Sequence, residues 1–439
     1  MAATFSAYGV YWYDKSVNPA IGYGMVGRIL DTGSAVVPAP GIRTGLNGDP
    51  RVEGFIDGPG NLRVAVTDYV KDSQSPVFIH DPSTGSQVGN TQSWPEDNLY
   101  TLVKFNGYLY AIDYDNAKVI ELYASAPYAP TGVSYTLPSS FIHTAGYHAC
   151  GQALIVIGSR LYGLFTITNS DWTDYKNSVL VRFTIAGSGA SRISVGANDY
   201  SENIAKNAFS LAAYGSKLYI AAIGGHQVAG NYNDDSRLQS IAYGAPDLTT
   251  ATVTDLMTPN AQTLPYEIRD ISFNTSGTAY VLVGSYKPVQ NPTDPWEMKG
   301  KLMWTTDIAN FALANFTVID DFTAGVLGYY WSAQYTPDNN RLWYTRGNDI
   351  RVYSAVNLAQ VGNTLTVTPG SLTSTGDLYT DLNDLSYVGP QGNISLRGYR
   401  SPLQRSRTAF AQAARALTRG RPELTAEEFG QLMAVHGAP

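Results

Sequence analysis

Two short runs gather oxygen-bearing side chains of the kind that hold a hard cation. Asp113, Asp115 and Asn116 stand together in DYDNAK, and Asn233, Asp234 and Asp235 in NYNDDS. Carboxylate and amide oxygens suit calcium, which makes Asp113, Asp115, Asp234 and Asp235 the candidate metal ligands. Neither run has the spacing and terminal Glu of an EF-hand loop. Asp, Asn and Gly are also the ordinary residues of tight turns, so turn chemistry is the simpler reading and no cofactor is expected. The histidines, His80, His143, His148, His226 and His436, never fall at i,i+4. His143 and His148 stand in an expected strand at a spacing that puts them on opposite faces. Cys150, in the apolar run HACGQALIVIG, reads as a small buried hydrophobe. The sequence has neither a phosphate loop nor a nucleophile elbow. No catalytic set emerges, and a non-enzymatic role is the expectation.

One further segment carries a chemical signature. RILDTGSAVV, with Asp31-Thr32-Gly33-Ser34 at its centre, resembles the hydrophobic–Asp-Thr-Gly-Ser segment of pepsin-type and retroviral aspartic proteases. That resemblance implies a second carboxylate sharing one proton with Asp31, because like charges so close cannot both ionise. No second DTG or DSG occurs. Asp31–Ser34 therefore reads as a turn leaving an N-terminal strand.

The elements that would position these groups follow from composition and periodicity. The 439 residues are 44% hydrophobic and 15% charged, with 31 Tyr, which excludes a disordered chain. A net charge of −7 disfavours nucleic acid or an anionic membrane as partner. No run approaches the ~18 apolar residues of a membrane span. MAATFSAYGV lacks the basic start and apolar stretch of a signal peptide. A local pattern recurs: apolar strand, tight polar turn, alternating strand. It reads FIDGPGNLRVAV from Phe55, LVKFNGYLYAID from Leu102, LIVIGSRLYGLF from Leu154 and LAAYGSKLYIAA from Leu211. Later copies begin at Ile271, Ala333 and Leu385. These are antiparallel hairpins, and most are followed by two more strand candidates. Four strands per unit at a period of about 50–60 residues resembles a seven-bladed β-propeller: all-β, with four-stranded antiparallel blades. The competing architecture is a pair of stacked β-sandwiches. No WD, kelch or Asp-box signature narrows the fold to a family.

The last hairpin, Leu382–Tyr399, lacks a third and fourth strand, and the N-terminus offers two strands, Tyr8–Asp14 and Ile21–Leu30. Pairing them would close the ring and remove two open sheet edges. Composition breaks after Arg400. Residues 401–439 hold five Arg and three Glu, a net +2 that leaves −9 on residues 1–400. Leu403, Phe410 and Leu417 recur at helical spacing. Thr425 and Glu428 form a capping box ahead of a second helical face, Phe429, Leu432 and Met433. Two short helices need a surface, so 1–400 reads as the propeller domain and 401–439 as a helical tail that docks, or as a fused segment.

In a propeller the loop between strands two and three falls on the same face in every blade. It is short in blade two (Asp113–Ala117) and blade six (Gly347–Asn348). It is long in blades three, four and five: Ile167–Lys176, Gly224–Ser236 and Ser285–Gly300. These loops supply the candidate binding residues Asp171, Trp172, Asp174 and Tyr175; His226, Tyr232, Asp234 and Asp235; Asp294, Trp296 and Glu297. Aromatic rings beside acids suit stacking on a protein or carbohydrate partner, or else pin their own loops. The expectation is an extracellular or cell-surface binding and assembly protein, its tail docking to a neighbour in a homo-oligomer or filament. A virion structural protein is a variant. The alternative is a propeller enzyme of lyase, lactonase or glycosidase type, using carboxylates with calcium as the candidate ion.

Overall fold

A computed structural model describes residues 4–14, 21–46, 49–69, 76–94, 98–187, 189, 192–228, 232–287, 297–322, 326–327, 331–366, 378–389 and 392–396. Seven antiparallel sheets form the blades of a β-propeller. Blade one is built from Asp49–Ile56, Leu62–Tyr69, Pro76–His80 and Gln92–Ser93. Blade two has Leu99–Phe105, Tyr108–Asp113, Lys118–Tyr123 and Pro130–Thr136. Blade three has Tyr147–Ile157, Arg160–Asn169 and Tyr175–Ile185; Ile193–Ser194 and Tyr200–Lys206 both pair with the third of these. Blade four comprises Ala208–Tyr214, Lys217–Ala222, Arg237–Ala242 and Thr254–Met257. Blade five runs through Glu267–Phe273, Ala279–Lys287, Glu297–Thr305 and Thr317–Asp321, with Val326–Leu327 added beside Glu297. Blade six holds Trp331–Thr336, Arg341–Arg346, Asp349–Ser354 and Leu365–Thr366.

The seventh sheet takes strands from both ends of the chain. Its order is Gly392–Leu396, Leu378–Gly389, Thr4–Asp14, Ile21–Asp31 and Val36–Leu46. Four strands per blade is thus not general, since blades three, five and seven carry five. Residues 401–439, with Leu403, Phe410, Leu417, Phe429, Leu432 and Met433, lie outside the described residues. Among the described residues no helix is long and apolar enough to cross a membrane.

Local sequence explains the hairpins. In blade two, Asn106 and Gly107 turn at φ 46° and 81°, the double left-handed turn that Asn-Gly favours and that matches strand twist. The second strand of each blade has neighbours on both sheet faces, so it is buried almost throughout: Leu161–Thr168 and Leu218–Ala222 are continuous buried runs. The apolar cores lie between blades. Phe105, Tyr110, Ile112 and Val119 of blade two pack on Leu154, Leu161, Phe165 and Val179 of blade three. A second such core joins blades four and five through Tyr219, Ile268, Val281 and Met303.

Polar side chains tie each blade to the next. Near the channel, N–H groups of innermost strands donate to side chains of the preceding blade. Leu154 donates to Thr101 (3.2 Å), Ala208 to Ser178 (3.0 Å), Ile268 to Ser236 (2.8 Å) and Tyr335 to Ser272 (3.2 Å). The Asp270 carboxylate accepts from the Ala333 N–H (2.9 Å), the Ser210 hydroxyl (2.6 Å), the Ser332 hydroxyl (3.2 Å) and the Gln334 amide (2.9 Å). Farther out, arginines span the gaps. Arg192 of blade three meets the buried Glu121 of blade two, and Arg182 reaches the Ala245 carbonyl of blade four at 2.6 Å. Arg28 of blade seven donates to the carbonyls of Pro82 (2.6 Å) and Ser83 (2.8 Å) in blade one.

Asp31 belongs to this scaffold. It ends its strand, accepts the Gly33 N–H at 2.8 Å in a turn, and takes a two-pronged contact from Arg341 of blade six at 3.0 and 3.3 Å. A carboxylate engaged this way is a strut between blades, in accord with the turn reading of Asp31–Ser34. Arg341→Met leaves that buried carboxylate without its cation and is expected to destabilise the fold by about 3–5 kcal/mol in urea unfolding. A loss under about 1 kcal/mol, the worth of an exposed pair, would contradict the strut.

Candidate functional site

The loop of blade three is shorter than its sequence length implied, and that of blade four is folded on itself. In blade three the ladder runs on through Thr168 paired with Tyr175, so only 170–174 form the loop. Asn169 closes it. Its side-chain oxygen accepts the N–H groups of Thr173 (2.9 Å) and Asp174 (3.2 Å), and its amide donates to the Thr173 hydroxyl (2.9 Å). Trp172 sits in the left-handed region at φ 53°, half-buried, with its ring edge-on to His148 at 6.0 Å. It therefore pins its own loop. Tyr175 is buried. Asp171 points to solvent, and Asp174 accepts from Lys176 (2.8 Å) and from the Tyr147 hydroxyl. The Lys176 contact, then the Tyr147 one, hold the Asp174 pKa below the usual carboxylate range.

The blade-four loop folds back as a two-residue ribbon, Gln227–Val228 against Tyr232–Asn233. Asp235 organises its base, accepting the N–H groups of Gly225 (2.8 Å) and His226 (2.9 Å) and the ammonium of Lys206 (3.1 Å). Burial pushes the Asp235 carboxyl up, but these N–H groups and Lys206 outweigh it and its pKa lies below the ordinary value. Gly224 is required there: at φ 83°, an added Cβ would stand 2.3 Å from the Asp235 carboxylate. A Cβ on Gly225 would press the Tyr175 ring at 3.0 Å, so the two loops touch. His226 and Asp234 form an exposed pair at 2.8 Å, in which the Asp234 contact raises the imidazole pKa. Tyr232 is buried.

Beneath the ribbon lies a pair that sequence reading missed. Glu267, fully enclosed, accepts the Asn233 N–H at 2.9 Å and contacts the equally enclosed guanidinium of Arg269. Burial pushes Glu267 up to about 7 against the pull of Arg269, and burial also lifts Asp270 to about 6. Nothing in the sequence near Glu267 marks it, since its partner Asn233 lies in another blade's loop.

In blade five the pairing runs to Lys287 against Glu297, so 285–287 and 297–300 are ladder rather than loop. Asp294 and Trp296 lie outside the described residues, as does the side chain of Glu297. The first acid run resolves as turn chemistry: Asp113 is buried and accepts from the N–H groups of Asn98 (3.3 Å) and Asp115 (3.1 Å) and from the Asn116 amide. Asp234 and Asp235 face His226 and Lys206. Among the described residues no three His, Cys, Asp or Glu side chains come together to hold a metal. Cys150 is fully buried, and that burial raises its thiol pKa far above the usual value. His143 lies ahead of its expected strand, in a loop beside Glu202 at 2.6 Å.

On the opposite side, the channel holds a cavity of about 600 Å³. Ile56, Lys104, Val156 and Phe273, at or next to the ends of innermost strands, line it, so it lies toward the hairpin turns and away from the long loops.

Two outcomes follow. Trp172→Ala is expected to lower the melting temperature by several degrees, because it unpins the loop; an unchanged melt would return the ring to a purely ligand-facing role. Glu267 binds its proton more tightly in the fold than in the unfolded chain, so the folded state holds the extra proton between pH ~4.5 and ~7. Stability from this group is then lost as pH rises through that window. Relative to Glu267→Gln, the wild type should lose stability between about pH 4.5 and 7 in urea titrations; parallel profiles would contradict the shift.

No family model matches this chain, and no curated protein matches it. Solved structures do. A candidate 6-phosphogluconolactonase from Bacteroides fragilis superposes with a TM-score of 0.54 at 13% identity, over 88% of this chain and 98% of that one. A candidate 6-phosphogluconolactonase from Bacteroides uniformis gives 0.54 at 11% identity, over 88% and 100%. At such identities the likeness is one of fold, and the chain is a seven-bladed β-propeller of no identified family.

Proposed function

We propose that this chain is a non-catalytic binding and assembly propeller whose loop face on blades three to five takes a basic segment of a partner. The observation that carries the reading is the sorting of side chains on that face. Trp172, Tyr175 and Tyr232 turn inward, while Asp171, Asp174 and Asp234 turn outward on loops fixed by Asn169 and Asp235. A surface of preset carboxylates favours cationic ligands and rejects anionic ones.

Residues 401–439 supply such a segment in the same chain, with five Arg against three Glu. Their docking on the acidic face of a neighbouring copy would make the chain a self-assembling unit, suited to a cell surface or a particle. This division into a propeller and a docking tail is part of the proposal. Lactones are the natural substrates for probing the enzymatic alternative, given the names of the two structural neighbours.

Sedimentation of the full chain tests the reading. Association is expected at about 50 mM salt and should weaken at about 500 mM, where charges are screened within a few ångströms. It should also weaken in an Asp171→Asn, Asp234→Asn double variant. A monomer under all conditions, or association indifferent to both changes, would contradict the proposal. So would lactone hydrolysis above background by the wild type.

A further inference from the structure

We propose that the channel cavity at the hairpin-turn end is a binding site for a small oxyanion, a carboxylate or phosphate borne on a compact polar molecule. Its volume of about 600 Å³ falls within the range of small-molecule pockets. Among the described residues Lys104 is the one charged side chain that lines it. Its ammonium donates to the Asp57 carbonyl at 2.6 Å, which leaves two N–H bonds for a ligand.

The nearby carboxylates are already committed. The Asp57 carboxylate receives Asn61, Arg63 and the Tyr128 hydroxyl. Asp270 is wholly buried behind the lining and receives Ser210, Ser332, Ala333 and Gln334. The blade-seven strand nearest the axis, Gly392–Leu396, adds no charged residue in its sequence.

The hydroxyls sharpen the selection. Thr101 and Ser272 both line the cavity, and each spends its oxygen accepting an N–H of the next blade. A hydroxyl whose oxygen accepts must aim its proton elsewhere, and neither proton has an acceptor among the described residues. The cavity is thus furnished with an ammonium and two O–H donors. Gln334 commits its amide N–H to Asp270, so its carbonyl is the acceptor left for a ligand hydroxyl. Leu154, Val156, Leu211 and Phe273 supply apolar walls, which strengthen the attraction of an ammonium for an oxyanion by keeping water away. This site is separate from the loop face, and its fate is independent of the assembly reading.

Calorimetric titration of the full chain with inorganic phosphate, malonate and neutral glycerol tests the assignment. One saturable site is expected for phosphate or malonate, each displacing the other, with none for glycerol. Lys104→Met should weaken it at least tenfold, Lys104→Arg should retain most of it, and Thr101→Val should weaken it severalfold. Lys217→Met, which removes an exposed lysine of blade four, should leave it unchanged. Melting curves report whether each variant folds, and Thr101→Val with Lys104→Arg keeps the test intact should Lys104→Met not fold. Absence of saturable binding by the wild type overturns the proposal, as does equal weakening by Lys104→Met and Lys217→Met.

Discussion

The innermost strand of each blade has a free edge, and the rest of the structure depends on how that edge is satisfied. Its outward N–H groups are buried beside the channel, where an unmet donor costs about 1–3 kcal/mol. Thr101, Ser178, Ser236, Asp270 and Ser272 meet them from the preceding blade. A hydroxyl suits this task because it is short, uncharged and able to accept and donate at once. Ser236 does both, accepting from Ile268 and donating to the Ala222 carbonyl at 2.7 Å. Each bond fixes the height of one blade relative to the next, which apolar packing between faces alone leaves adjustable.

The joining of neighbouring blades also reaches the two regions proposed to bind. At the loop end, Glu267 begins an innermost strand and anchors the blade-four ribbon through Asn233. At the hairpin end, Thr101 and Ser272 line the cavity and accept from the next blade. Neither region is a flexible addition to the ring.

Much of the architecture was legible because it is local. Hairpins such as Leu102–Asp113 announce themselves by alternation and an Asn-Gly turn, and seven of them at a regular period leave few folds to choose from. The strand Val36–Leu46 escaped notice because Pro38 and Pro40 interrupt its pattern, which is tolerated only at a sheet edge. Gln92–Ser93 is too short to carry a period. The loops of blades three and four were legible, but the orientation of their side chains was not. Whether Trp172 faces solvent depends on one left-handed backbone angle and on His148, which lies in the neighbouring strand. The Asp31–Arg341 strut joins residues 310 positions apart, and Asp270 collects partners at separations of 60 to 64. Contacts of that range leave no trace in a single sequence, so the channel cavity and its donors became visible only in three dimensions.

Native-state hydrogen exchange measures the central constraint residue by residue. The amides of Leu154, Ala208, Ile268, Ala333 and Tyr335 sit on strand edges yet should exchange as slowly as those inside the ladders. Ser178→Ala should release Ala208 alone, with the other four still protected. If these amides instead exchange at the rate of exposed loops, or if Ser178→Ala leaves Ala208 as slow as before, the blades are not joined through their inner edges.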